Sequence, residues 1–290
     1  ASRYHRLYGT SEKATGLLLF GRAHACRLRD TPTGLDRFCI ATSGVLGDAE
    51  SLLRSRTPIG FFWPLLSPSV KERVLQASVS TAGVSVPLAL GLPAARMGSI
   101  HPLARCSDCD AEEHSAVGLP TWKVEFQLPS AWLCPTHRRP LGQLKGHRNY
   151  WEYSDSAFTT ELPAPATSAE ESALALLAHH GRIVLQTPNA DILVLRHATL
   201  HFLREIGLCA THKRLSERRV QKFFDQSPIA QLFGRHPEVK RLPRSGWIPD
   251  LLRGRAAGHP LKWLLLWNAL TWEMSLDVAT SALADAFSGL

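Results

Sequence analysis

No run of eighteen apolar residues occurs in the 290-residue sequence. The most apolar stretch, LKWLLLWNALTW at 261–272, is too short for a bilayer and is interrupted by Lys262 and Asn268, so no membrane span is predicted. The chain begins with Ala1 and a basic, aromatic stretch instead of an apolar signal core, and nothing argues for secretion. Cysteine is scarce: six residues, irregularly placed, are too few for a disulfide scaffold. A reducing compartment follows, and any clustered cysteines point to a metal. Also missing are the phosphate loop G-x-x-x-x-G-K-[ST], the dinucleotide fingerprint G-x-G-x-x-G after a strand, the nucleophile elbow G-x-S-x-G and the zinc-protease motif H-E-x-x-H. Acidic residues are too scattered for a nuclease-like carboxylate set. With no positive sign of catalysis, a non-enzyme is expected.

What is present is the balance of a globular protein, 44% hydrophobic and 20% charged, with a formal net charge of +8. The charge is unevenly placed. Residues 204–262 carry thirteen Lys and Arg against five Asp and Glu, which accounts for the whole excess. Such a concentration is the electrostatic footprint of a nucleic-acid partner, and no free-standing basic amphipathic helix supports a membrane instead.

The organisation reads as four parts. Residues 1–99 are expected to be helical, with Gly21 closing a helix over SEKATGLLLF, Asp48 capping AESLLRS, and Pro68 starting a helix over SVKERVLQA. Residues 100–153 carry the paired cysteines and TWKVEFQLP, whose alternation of Trp122, Val124 and Phe126 with Lys123, Glu125 and Gln127 predicts a strand. The Pro-, Ala- and Ser-rich 154–169 reads as a linker. Residues 170–290 form a basic helical domain: Ser168 and Glu171 have capping-box spacing, and Ile192, Leu195, Thr199, Phe202, Leu203 and Ile206 mark one face of a helix stopped by Gly207. His179 and His180 are expected at a helix end, beside its last carbonyls. Shorter helices are expected at SERRVQKFFDQ, SPIAQLFG, IPDLLRG and from Pro260 onward, in a helix-turn-helix-like arrangement. The fold class is therefore mainly α, with a small zinc-ribbon-like β insertion.

Cys106 and Cys109, in RCSDCDAEEH, have the C-x2-C spacing that lets two thiolates of one turn face one ion. Alone, the pair fits a metal knuckle, a redox couple or a plain turn. Twenty-four residues separate Cys109 from a second knuckle, Cys134-Pro-Thr-His137. Together they make a Cys3His set, the four-coordinate closed arrangement of one structural Zn2+. A redox couple is disfavoured because the acidic DAEEH would raise thiol pKa values. His101, His114 and His147 read as surface histidines, and Cys26, Cys39 and Cys209 as core thiols.

RCSDCDAEEHSAVGLPTWKVEFQLPSAWLCPTHRRPL resembles the signature of the TnsD/TniQ family, target-selection proteins of transposons, including CRISPR-associated ones. Cys106, Cys109, Gly118, Trp122, Gln127, Leu128, Pro129, Cys134, Pro135, His137 and Leu141 fit its pattern in order. Upstream, Thr57, Phe62, Pro64 and Leu66 occupy places like those of the family's HTxFPxxxPF stretch, and downstream Trp247, Leu251, Arg253, Pro260 and Leu261 match its Trp-led helix pair. Ser107 stands where the family usually has Pro, and Phe126 where it often has His. Family members begin with a PxPxExLxS-like segment, so the resemblance implies that the N-terminal domain is truncated at its start. It further implies a non-catalytic adaptor that binds attachment-site DNA and recruits a AAA+ ATPase regulator of TnsC type, which brings the transposase subunits. The alternative within the family is docking on an RNA-guided CRISPR effector complex; outside it, a metal-dependent hydrolase would need an open metal position. A bacterial cytoplasmic location, on the nucleoid when DNA is bound, follows. Within the basic region the expected DNA contacts are Lys213, Arg214, Arg218, Arg219, Lys222, Arg253 and Arg255.

Overall fold

The computed structural model describes residues 1–25, 32–79, 86–90, 103–144, 151, 158–187, 191–211, 214–233, 235–236, 239, 242, 246–254 and 259–289. It is mainly helical. The helices are α1 (Ser2–Tyr8), α2 (Glu12–Phe20), α3 (Leu35–Ala41), α4 (Ala49–Arg56), α5 (Pro68–Val79), α6 (Val86–Ala89), α7 (Ser107–Val117), α8 (Ser168–Gln186), α9 (Ile192–Glu205), α10 (Glu217–Gln226), α11 (Trp247–Arg253), α12 (Pro260–Thr271) and α13 (Leu276–Ser288). Strands β1 (Ala104–Arg105), β2 (Gly142–Leu144) and β3 (Phe158–Glu161) form an antiparallel sheet in that order, and β4 (Cys209–Thr211) pairs with β5 (Arg214–Leu215). Among the described residues, no helix is long and apolar enough to cross a membrane.

Local chemistry sets most boundaries. Ser11 caps α2 by accepting from the Ala14 N–H, and Gly21 ends it in the left-handed conformation at φ 65°. Asp48 caps α4 through the Ser51 N–H, and Pro68 opens α5. At α8 the capping box lies one residue before the expected one. Thr167 accepts from the Glu170 N–H, and the Glu170 carboxylate reaches back to the Ala166 N–H at 2.7 Å. Arg235 holds that buried carboxylate below the usual range.

The centre is α12. Every residue from Pro260 to Thr271 is buried except the half-buried Lys262, because α8, α10, α11 and the 3-10 turn Pro228–Leu232 surround it. Two of its polar groups find buried partners: Trp267 Nε1 donates to Thr199 Oγ1 at 3.0 Å, and Asn268 Nδ2 to the Ala173 carbonyl at 2.7 Å. The hydrophobic cluster around it takes in Phe61, Cys106, Trp132, Leu162, Leu177, Trp263 and Phe287, and thus draws on the N-terminal, cysteine-bearing and basic parts alike. A second cluster of Leu35, Leu53, Ile59, Trp63 and Val74 sits under α3–α6 and meets the first through Leu66 and Leu90.

Three local expectations are corrected. TWKVEFQLP is not a strand: Val124–Gln127 form a 3-10 turn. The bonds a strand would have given β1 come from one side chain, since Gln127 accepts from the Ala104 N–H at 2.9 Å and donates to the Ala104 carbonyl at 2.8 Å. Within 154–169, read as a linker, lie β3, the buried Leu162 and the start of α8. His179 and His180 are not at a helix end, because α8 continues to Gln186.

His180 is fully buried, and among the described residues neither ring nitrogen reaches a hydrogen-bond partner of normal geometry. Burial pushes its pKa down to about 3, against a small opposing effect of the nearby Ala279 backbone in α13. The folded state therefore keeps this imidazole neutral while the unfolded chain protonates it below about pH 6.5. Stability present above that pH is lost as pH falls towards 3, by about 2 kcal/mol at pH 5. Urea denaturation at pH 7.5 and pH 5 measures this loss, and His180→Phe should flatten it; an equal loss in the variant would assign the acid sensitivity elsewhere.

Gly181, the next residue, sits mid-helix, where glycine costs about 1 kcal/mol relative to alanine. The reason is close approach: a Cβ there would stand 2.0 Å from Ser130 Oγ and 3.2 Å from Ser130 Cβ. Gly181→Ala is expected to destabilise by about 1–3 kcal/mol through overpacking. Ser130 Oγ is buried with no hydrogen-bond partner among the described residues, so Ser130→Ala alone should cost little and should recover much of the Gly181→Ala loss. Chemical denaturation of the four proteins reads the coupling; additive effects would disprove the contact.

Candidate metal centre

The two knuckles come from different local structures. Cys106 occupies the N-cap of α7, and Cys109 lies in that helix's first turn. The C-x2-C pair is thus a strand end and a helix start, with β1 just before it. Cys134 and His137 lie on a tight turn in which the Arg138 N–H donates to the Cys134 carbonyl at 2.9 Å and the Cys134 N–H to the Arg139 carbonyl at 2.8 Å. Arg138 takes a left-handed φ of 56°, and the His137 N–H points at Cys134 Sγ, 3.4 Å away. Leu133 and Pro140 bridge across the base of this turn, which leads into β2.

The folds of these turns bring the four side chains together. Their ligand atoms all lie within 4.8 Å of one another. Cys109 Sγ is 3.7 Å from Cys134 Sγ, and His137 Nδ1 is 3.6, 3.3 and 3.6 Å from the sulfurs of Cys106, Cys109 and Cys134. Bonds of about 2.3 Å to sulfur and about 2.0–2.1 Å to nitrogen give a tetrahedron with edges of about 3.8 Å and about 3.5 Å. The donor set therefore fits one four-coordinate metal ion. All three cysteines are buried and the histidine closes the outer side.

The thiol environment agrees with that fit. Burial pushes the Cys106 and Cys109 thiols up, reinforced at Cys109 by the neighbouring Cys134 sulfur. At Cys134 burial acts the same way but is outweighed by bonds from the His137 backbone and ring and from Thr136, so its thiol is lowered. Three thiolates at such spacing repel one another, and a divalent cation is the group that offsets the repulsion.

The acids following Cys109, which composition suggested would only oppose thiolate formation, turn out to bind specific partners. Glu112 accepts from His137 Nε2 at 3.0 Å, the carboxylate–histidine pairing that orients a metal-bound imidazole. With the contact to Cys134, it raises the pKa of His137. Asp108 joins the knuckles by accepting from Arg139 at 3.1 and 3.2 Å, and the largely buried Asp110 pairs with Arg105 at 3.2 Å. Glu113, one position on, binds the Thr121 N–H and hydroxyl and Arg3 of α1. The signal available in the sequence was the spacing of acids at i+3 and i+4 from Cys109 on what proves to be a helix.

The remaining predicted residues separate into groups. Arg218, Arg219 and Lys222 are exposed on α10, opposite the buried Val220 and Phe224, and carry no ion pair among the described residues. Arg253 is instead paired with Glu217 across α11 and α10. Arg214 belongs to β5 by its backbone, and Lys213 and Arg255 lie outside the described residues. His114 is exposed on α7 and Cys39 is half-buried, whereas His101, His147 and Cys26 lie outside the described residues. In the region expected to be helix-turn-helix-like, α12 is buried all round apart from the half-buried Lys262, so among the described helices there the one with a solvent-facing basic side is α10.

No family model and no curated protein matches this sequence.

Proposed function

We propose that this chain is a non-catalytic DNA-binding target selector of the TnsD/TniQ kind, with one structural Zn2+ held by Cys106, Cys109, Cys134 and His137. The observation that carries the DNA reading is the face of α10, where Arg218, Arg219 and Lys222 stand exposed with no ion pair among the described residues, while the opposite side is anchored by Val220 and Phe224. A rigid helix with three exposed cations in about one turn can neutralise phosphates or enter a major groove. Soft thiolates with one imidazole favour zinc over the harder divalent ions, and a closed four-donor set leaves no position for a reactive water.

Recruitment of a TnsC-type AAA+ ATPase, and through it of the transposase, would use a different surface. Leu17, Leu18, Ile40, Val45 and Leu46 expose between 47% and 83% of their area on α2, α3 and the turn after α3. Apolar groups in that number suit a protein contact. On this reading the protein works in the bacterial cytoplasm, on the nucleoid. The same surface is what would dock on an RNA-guided effector complex in the alternative reading.

The test is a fluorescence-anisotropy titration of duplex DNA at several salt concentrations. Each phosphate contact adds about 0.9 to the slope of log K against log salt, so a slope of several units is expected. Binding indifferent to salt would sink the DNA reading. A pulldown of the ATPase with and without attachment-site DNA then separates the direct selector from the guide-complex adaptor.

A further inference from the structure

Helix α7, which supplies Cys109 and is capped by Cys106, has almost no apolar face. Of its 11 residues only Cys109 and Asp110 are buried, and Val117 is exposed. A helix of this length is marginal by itself in water, so α7 depends on what its polar side chains hold. Cys106 and Cys109 belong to the metal set, Glu112 accepts from His137 and Asp108 from Arg139, so most of these ties end on the second knuckle. Asp110 pairs with Arg105 of β1. Helix α1 has no buried residue and likewise rests on polar bonds. Arg3 Nη2 donates to Glu113 of α7 and to the Leu119 carbonyl, each at 3.0 Å, and Arg6 donates to the Pro120 carbonyl. Glu113 also accepts from the Thr121 N–H and hydroxyl, each at 2.9 Å, so one carboxylate gathers α1, α7 and the chain that follows α7. Burial opposes ionisation of Glu113, but the bonds from Thr121 and the charges of Arg3 and Lys123 outweigh it and hold the carboxyl below its ordinary range. Two other bonds of α1 go elsewhere: Ser2 Oγ donates to the Trp151 carbonyl at 2.5 Å, and His5 Nδ1 lies 3.2 Å from Thr15 Oγ1.

We propose that α1 is a latch governed by the metal centre through Glu113. With the ion bound, α7 is pinned between the knuckles and presents Glu113 and the 119–120 carbonyls to the two arginines. When the ion leaves, the knuckles part, α7 loses its anchor, and Arg3 and Arg6 lose their acceptors together. Helix α1 then opens with a metal module 110 residues away in the chain, while α2 keeps its own caps at Ser11 and Gly21. Leu7 and Tyr8 of α1 expose 62% and 67% of their area, so a partner that engages them meets an ordered helix only while the ion is held. The latch rests on the metal reading of the cysteine set and is independent of the DNA reading.

The full chain is loaded with Zn2+, the bound metal is counted by elemental analysis, and brief trypsin digestion is followed by mass spectrometry. Cleavage after Arg6 reports on α1, and cleavage after Lys13 of α2 is the internal reference. Cutting of a locally opened segment follows the population of the open form. Hydrogen bonds to charged groups are strong enough that zinc-loaded Glu113→Ala should be cut after Arg6 about 10-fold faster than the unaltered protein, with no change at Lys13. The unaltered protein should show the same acceleration after Arg6 once chelated. Arg3→Met, which leaves α7 and its donors untouched, should match Glu113→Ala and decides the outcome if that variant fails to hold zinc. Zinc bound with an unchanged rate after Arg6 in Arg3→Met overturns the latch alone. Equal acceleration at Lys13 in the variants also overturns it, because the whole N-terminal region would then have loosened. A chain that takes up no zinc overturns the metal reading and the latch with it.

Discussion

Cys134→Ser is expected to abolish high-affinity metal binding and to lower stability by about 5 kcal/mol or more, comparable with the whole stability of a typical domain. Structural zinc in small finger peptides contributes about 10–16 kcal/mol of apparent binding energy, which is folding energy there because the ligands are not assembled beforehand. From the position of the knuckles in the sequence, chelation is expected to unfold residues 100–145 first. The structure spreads the loss. Cys106, Cys109 and Cys134 belong to the same buried cluster as Leu177, Trp263 and Phe287. Trp132, two residues before Cys134, stacks on His236 at 3.5 Å, and Ser130 presses on Gly181 of α8. Hydrogen exchange on chelator-treated protein should therefore show protection lost first over 103–144 and then along α8 and the Pro228–Leu232 turn. A chelated protein with an unchanged thermal midpoint and unchanged exchange would refute the structural role. Glu112→Gln is the milder counterpart, since it keeps the four donors and removes only the charge that orients His137.

The Cys3His cluster was legible because its signal is covalent spacing: two knuckles close within three residues each, whatever lies between them. What lies between was misread for a definite reason. Three apolar–polar alternations in TWKVEFQLP fit a strand, but the segment is too short for that pattern to outweigh tertiary bonds, and Gln127 made β1's partner bonds with its amide. Helix starts were legible wherever a short polar side chain could cap, as at Ser11 and Asp48. At α8 two adjacent residues could both cap, and Thr167 took the place of Ser168 because Glu170, not Glu171, reaches the free N–H. That α8 runs on past His180 to Gln186 could not be read either. Nor could charge counting tell a free cation from a paired one. Arg235 and Arg253 look like Arg218 in sequence, yet the first holds Glu170 and the second holds Glu217.

That last distinction yields the second large effect. Arg218→Glu/Arg219→Glu/Lys222→Glu should weaken duplex binding by about 100-fold or more near 0.1 M salt and reduce the salt slope by about 3, at about 0.9 per lost phosphate contact. The fold should survive, because all three side chains are exposed and Val220 and Phe224, which anchor α10, are untouched. Arg253→Ala supplies the contrast. Its guanidinium is engaged by Glu217, so its removal frees a carboxylate on the first turn of α10 and should leave the slope nearly unchanged. Anisotropy titrations at four salt concentrations distinguish the cases. If Arg253→Ala loses as much affinity and slope per unit of charge removed as the triple variant, which removes six units to its one, binding follows net charge alone and α10 is not the contacting helix. If the triple variant loses slope while Arg253→Ala keeps it, the phosphates are met by this one face, and a single-site scan of Arg218, Arg219 and Lys222 against base-substituted duplexes separates the side chains that position the helix from any that read a base.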